Sequence, residues 1–188
     1  MAKETSAKVI FYETEPIELA RETAIVTAQI FGMNRTKAEK RLESFAMPKS
    51  RMTIIKLKHF TLIDDSYNSN PLATSAVLNK LSKMKAKRKV GILGDMLELA
   101  SYAEKAHNEI GELAGKVCDL VIFVGENSKY FEKGALKNLD PKNIKKVKSA
   151  DEAIKVVKEI IQPGDLILVK GSRKIGLEKV VEELKKIN

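Results

Sequence analysis

Four short stretches of this chain carry residues that could do chemistry. They read DDSYNSNP at 64–71, GDMLE at 94–98, GENS at 125–128 and KGSR at 170–173. Each follows an apolar run. The first ends its run in Asp64, Asp65, Ser66, Tyr67, Asn68, Ser69 and Asn70, a density of carboxylates, hydroxyls and amides that can serve a turn, a helix cap or a ligand. The other three contain glycine, which lets backbone turn tightly or approach a ligand. KGSR sets Lys170, Ser172 and Arg173 ahead of a helical pattern. Cations and exposed N–H groups that converge in this way suit an anion.

Each stretch also has a plainer use. Asn70 before Pro71 fits a helix N-cap followed by a first-turn proline. A cap does not need Asp64, Asp65 and Asn68, so the cluster around it reads as functional. GDM suits an ordinary tight turn, yet Asp95 would then hold its carboxylate at the end of a strand. GENS reads as structural, with Asn127 or Ser128 capping the next helix. KGSR competes with a basic loop in a basic protein. His107, in EKAHNEIGE, reads as a surface or supporting residue of a helix rather than a catalyst. Cys118 reads as a small buried hydrophobe. Arg51 means little alone, but beside a nucleotide it could supply a bidentate clamp.

The elements that must position these residues follow from periodicity. Residues 16–45 read as two helices separated near Gly32, the first with Ile17, Ala20, Ala24, Ala28 and Phe31 on one face and the second with Ala38, Leu42 and Phe45. Residues 47–50 read as a loop. Two strands follow at 52–57 and 60–64, with Lys58-His59 as the turn. Helices are expected at 73–85, 102–117, 129–137, 150–161 and 175–186. They alternate with strands ending near Gly94, Gly125, Lys148 and Lys170.

Such alternation predicts an α/β, Rossmann-like, mostly parallel sheet with helices on both faces. The unbroken apolar runs VGIL, LVIFV and LILV fit strands covered on both sides. The expected organisation is a helical remnant of another domain at 1–47 and the Rossmann-like domain at 48–188, with one antiparallel strand added by the first hairpin. In open α/β sheets ligands bind beyond the carboxyl ends of the strands, so all four polar stretches should line one rim.

Composition excludes several classes. Of 188 residues, 44% are hydrophobic and 31% charged, which suits a folded core rather than a disordered chain. One cysteine and two histidines exclude an internal disulfide and argue against a zinc site. No apolar run is long enough to span a bilayer, and no signal peptide is evident, so a cytoplasmic protein is expected. The net charge of +9 favours anionic partners, although a lysine-rich surface accounts for much of it. Nucleic acid is disfavoured because aromatics are only 5% and no nucleic-acid-binding motif is present.

Taken in order, SRM at 50–52, DDSYNSNP, LGDMLEL, His107, PGD at 163–165 and VKGSR resemble the C-terminal part of the Mur ligase family, nearest to its D-alanyl-D-alanine-adding branch. The resemblance covers residue 48 to the end, and more weakly 22–45. It implies a three-domain, ATP-dependent amide ligase of peptidoglycan precursor synthesis that activates a carboxylate as an acyl phosphate for attack by an amine. The part seen here would close over the nucleotide and help to hold D-alanyl-D-alanine. By the same resemblance Arg51 contacts the nucleotide and Asp65 its ribose. Asn68, Asn70, Asp95, Lys170, Ser172 and Arg173 would face the substrate, and no catalytic residue is assigned.

The departures are equally specific. The sequence contains no G-x-x-x-x-G-K-[ST] phosphate loop. A UDP-sugar-binding domain is missing, and ELARETA stands where the family has a His-Asn pair. Ala100 replaces a glycine of the family pattern. The expectation is therefore a piece of a longer ligase or a divergent stand-alone relative, inactive as a ligase by itself. ATP and Mg²⁺ would belong to the parent enzyme and would not be held tightly by this chain alone. Its partners would be the missing N-terminal and central domains. The competing expectation is a stand-alone nucleotide- or peptide-binding module.

Overall fold

A computed structural model describes residues 16–44 and 50–187. The chain divides into two compact units, Met1–Ala46 and Met47–Asn188.

The first unit holds α1 (Pro16–Ile30) and α2 (Arg35–Glu43). Asn34 caps α2 by accepting the Lys37 N–H at 2.8 Å. Arg35 ties the helices together through Glu22 and Glu39. The helix break near Gly32 is as expected, but the apolar face is not. Ile25 and Ala38 are the buried hydrophobes here, while Ala20, Ala24 and Phe31 are exposed. The spacing of the small alanines points to a different stripe. The expected loop at 47–50 falls mostly outside the described residues, as does Phe45.

The second unit is a six-stranded sheet in the order β1-β2-β6-β3-β4-β5. A hairpin opens it. β1 (Thr53–Lys56) runs antiparallel to β2 (Thr61–Asp65), with Thr53 opposite Asp64. Every other pairing is parallel: β2 with β6 (Asp165–Lys170), β6 with β3 (Arg88–Gly94), β3 with β4 (Leu120–Val124), and β4 with β5 (Ile144–Val147). All five residues of β4 and all six of β6 are buried, which is why their sequences lack alternation.

The helices sort onto two faces. α3 (Pro71–Lys83), α4 (Ala103–Val117) and α5 (Ser128–Ala135) pack Leu78, Leu81, Ile110, Ala114 and Phe131 against Ile63, Leu93, Val121, Phe123 and Leu168. α6 (Ala150–Ile160) and α7 (Glu178–Lys185) pack Val157, Val180, Val181 and Leu184 against Leu62, Ile92, Ile122, Ile167 and Val169. Successive strand residues thus feed opposite cores, as the two-residue period of a strand requires. Each fully buried aliphatic side chain is worth roughly 1.5–3 kcal/mol over leaving it exposed. Within the first face α4 and α5 lie very close. A methyl group on Gly111 would overlap the Phe131 carbonyl, and one on Gly134 the Asn108 carbonyl.

One detail departs from the periodicity. The last helix starts at Glu178, not near Ile175, because a short 3₁₀ turn at Arg173–Ile175 and a left-handed Gly176 come first. Cys118 is buried as expected, and burial pushes its thiol up to about 12. Among the described residues no helix is long and apolar enough to cross a membrane.

Candidate functional site

The carboxyl ends of β2, β3, β4 and β6 carry the four polar stretches to one rim, and hydrogen bonds knit them together there. β2 and β6 are neighbours with Asp65 opposite Lys170, so the DDSYNSNP and KGSR loops leave the sheet side by side. Lys170 Nζ donates to Asp65 Oδ2 at 2.7 Å and to the Asn68 carbonyl at 2.9 Å. The Lys170 side chain is only 3% exposed. It is therefore a buried, paired cation that shapes the Asn68 loop, and its ammonium does not stand open in the cleft.

Asp64 and Asp65 are also engaged. Asp64 accepts from the Ser66 N–H and hydroxyl with Oδ1, and from Ser50 Oγ with Oδ2 at 2.9 Å. Asp65 Oδ1 accepts the Met52 N–H at 3.0 Å, and the Tyr67 N–H donates to the Ser50 carbonyl at 3.1 Å. Ser50 and Met52 both adopt left-handed backbone, with φ of 60° and 50°. Such backbone costs a non-glycine residue roughly 1–2 kcal/mol. Two adjacent carboxylates thus grip the chain on either side of Arg51. The Arg51 guanidinium lies over the Tyr67 ring, with Cζ 4.4 Å from the centroid. Arg173 reaches the same ring at 5.3 Å.

Asn70 is the N-cap of α3: its Oδ1 accepts the Ala73 N–H at 2.8 Å. Asn68 Oδ1 accepts the Ser69 N–H. Ser172 is a clasp between two loops. Its N–H donates to the Asp95 carbonyl at 3.1 Å and its Oγ accepts the Leu97 N–H at 2.9 Å.

Asp95 does not present the open rim carboxylate expected of it. It is buried, and its carboxylate accepts from the Asn127 N–H at 3.2 Å and from Asn127 Nδ2 at 3.0 Å. Asn127 stands at the start of α5 but makes no side-chain cap; its backbone N–H and Nδ2 both donate to Asp95, which turns the amide toward that carboxylate. Gly125 makes this possible: its φ is +120°, and a Cβ there would lie 2.5 Å from Asp95 Cγ. His107 supports the same loop. Its Nε2 accepts the Met96 N–H at 3.0 Å, so the proton sits on Nδ1, which donates to the Ala103 carbonyl at 2.6 Å. Burial lowers its pKa below 6.5 despite Asp95 nearby, and the ring is neutral. The expectation of a supporting rather than catalytic histidine fits this geometry.

Between these loops lies a cleft of about 660 Å³ lined by Tyr67, Asn68, Ser69, Asn70, Leu97, Glu98, Leu99, Ser172, Arg173 and Lys174. Glu98 opposes Arg173 and Lys174 in charge, and Leu97 and Leu99 supply apolar wall. Glu98 and Ala100 are both left-handed, with φ of 64° and 45°. Backbone of this kind collects at ligand sites. The sequence alone assigns no role to Tyr67 or Glu98. Both sit inside stretches singled out as polar, but neither an aromatic among amides nor a lone carboxylate after Leu97 is a signal by itself.

A model of the Mur ligase glutamate ligase domain matches residues 50–173. The UDP-N-acetylmuramoyl-tripeptide–D-alanyl-D-alanine ligase of Rickettsia prowazekii is 31% identical over 161 residues, which is 84% of this chain and 35% of that protein. The crystal structure of MurF from Acinetobacter baumannii superposes with a TM-score of 0.75 at 25% identity, over 88% of this chain and 36% of the other. MurF ligase from Thermotoga maritima in complex with ADP superposes with a TM-score of 0.60 at 26% identity, over 76% and 32%. The chain thus spans about a third of the length of these relatives.

Proposed function

Because this chain belongs to the Mur ligase family, we propose that it is the C-terminal part of an ATP-dependent ligase that adds D-alanyl-D-alanine to a peptidoglycan precursor. In that role it closes over the nucleotide and helps to hold the amine substrate. The observation that carries this reading is the convergence of the loops after β2, β3 and β6 on one cleft of mixed charge. D-Alanyl-D-alanine is a small zwitterion with methyl side groups. Lys174 suits its carboxylate, Glu98 its ammonium, and Leu97 and Leu99 its methyls.

The nucleotide supplies the phosphoryl group that activates the other substrate's carboxylate. Arg51 would meet its phosphates; that the Thermotoga maritima relative is a complex with ADP supports a nucleotide as ligand of the enzyme. Asp65 can still accept from a ribose hydroxyl, since each oxygen makes a single hydrogen bond here and the side chain is 17% exposed. Among the described residues no three potential ligands are grouped to hold a metal, so Mg²⁺ would be held by the nucleotide and other parts of the ligase. The phosphate loop absent from this sequence would likewise come from elsewhere in the enzyme.

The test is an NMR titration of the isotopically labelled chain with ATP–Mg²⁺ and, separately, with D-alanyl-D-alanine. The expected shifts cluster at Arg51 and Asp65 for the nucleotide, and at Asn68, Glu98 and Lys174 for the dipeptide. Saturating ligand that leaves all of these resonances in place overturns the reading for this chain.

A further inference from the structure

We propose that Tyr67 gathers Arg51 and Arg173 into one receptor for a phosphate chain, so that both arginines serve the same ligand. The inference rests on the nucleotide-binding reading and goes beyond it, because sequence resemblance divides these arginines between nucleotide and amine substrate.

The two guanidiniums come from opposite ends of the fold's sequence. Arg51 precedes β1 and Arg173 follows β6, yet both lie over one ring, at 4.4 Å and 5.3 Å. The convergence is built. The Tyr67 N–H is bonded to the Ser50 carbonyl, Ser50 Oγ to Asp64, and the Met52 N–H to Asp65. Those three bonds fix the residues before and after Arg51 against the loop that carries Tyr67. The pairing of Asp65 with Lys170 fixes where the Arg173 loop departs.

Two like charges gathered on one ring repel one another, and the aromatic ring returns only part of that energy. Among the described residues neither guanidinium has a carboxylate or carbonyl partner. Tyr67 itself is 40% exposed, so the assembly is open to solvent. A guanidinium stacked on a ring keeps its N–H edge free for a bidentate acceptor. A single carboxylate fills one such fork. A phosphate chain offers anionic oxygens along its length and can fill two. The arrangement therefore favours an oligophosphate over a peptide carboxylate.

The experiment is calorimetric titration of the 188-residue chain with inorganic tripolyphosphate, and in parallel with ATP–Mg²⁺ and D-alanyl-D-alanine. The variants are Tyr67→Phe, Tyr67→Leu, Arg51→Gln, Arg173→Gln and the double arginine variant. Tyr67→Phe keeps the ring and should bind tripolyphosphate as the unmodified chain does. Tyr67→Leu should bind it about tenfold more weakly, the scale of two exposed cation–π contacts. Arg51→Gln and Arg173→Gln should each weaken it, with a double variant that falls short of the product of the singles. Unchanged urea midpoints for Tyr67→Leu would separate this effect from a general loss of structure. ATP–Mg²⁺ binding with tripolyphosphate affinity unchanged in Tyr67→Leu or Arg173→Gln would overturn the inference and leave the nucleotide reading standing. The inference is equally overturned if Arg173→Gln weakens only the binding of D-alanyl-D-alanine. If the unmodified chain binds neither ATP–Mg²⁺ nor tripolyphosphate, both fall.

Discussion

Lys170 Nζ lies 2.7 Å from Asp65 Oδ2, in an ion pair that joins the ends of β2 and β6 across the rim. The ammonium is enclosed and its other bond is to the Asn68 carbonyl. Loss of one partner leaves the other charge buried without its counter-ion, which costs about 3–5 kcal/mol in fully buried pairs. Asp65 retains some solvent access, so Asp65→Asn should cost about 2–3 kcal/mol, at or just below the low end of that range. Lys170→Met should cost less, because the Asp65 carboxylate keeps the Met52 N–H and water. The double variant should be more stable than the sum of the singles implies. Urea unfolding monitored by circular dichroism checks all three.

His107 makes stability depend on pH. Its folded pKa is lowered by burial, so below 6.5 the unfolded chain binds a proton that the folded chain does not. Stability should therefore be full above the unfolded value and fall as pH drops through 6.5, by at most about 1.4 kcal/mol per pH unit for one proton. His107→Leu should lower stability at neutral pH by about 1–3 kcal/mol, since the Met96 N–H is left unpaired. It should also flatten the slope between about pH 7 and about pH 5. Urea midpoints measured across that interval provide the comparison, and a variant as steep as the parent would remove His107 as the source.

Ala100 occupies a left-handed conformation, φ 45°, where the family pattern has glycine. The methyl group costs roughly 1–2 kcal/mol there. The greater freedom of an unfolded glycine returns about half of it. Ala100→Gly should stabilise the chain by about 0.5–1 kcal/mol, read as an increase in urea midpoint without a change in slope.

Gly134 faces the Asn108 carbonyl across the α4–α5 contact with no space for a methyl group. Gly134→Ala must push the helices apart and should cost about 3 kcal/mol or more. Gly32→Ala meets nothing within 4 Å and should cost only the left-handed backbone term of about 1 kcal/mol. Thermal melts of the two variants should differ by several degrees in that order.

The sequence was legible wherever one local force dominates. LVIFV and LILV read as strands covered on both faces, and Asn70-Pro71 as the start of a helix, and the structure has both. The convergence of four polar strand ends followed from parallel topology alone. Less was legible where a side chain chooses among partners. Asp95 and Asn127 are 32 positions apart, and nothing local says that the amide will leave its helix cap for a buried carboxylate. Lys170 reads as a ligand cation until its distance from Asp65 is known. The alanine stripe in α1 is misleading because small residues fit either side of a helix, and Ile25 decides the buried face.

The order of strands also bears on how the protein is made. β6 is the last of these six strands to be synthesised, yet it sits in the middle of the sheet, between β2 and β3. Until residues 165–170 emerge, the nascent chain holds a hairpin on one side and three parallel strands on the other, each with an unpaired inner edge. Inner edges of this kind recruit other chains. Synthesis that stalls before β6 would release two half-sheets in place of one sheet, and such a product is one for proteases and chaperones to clear.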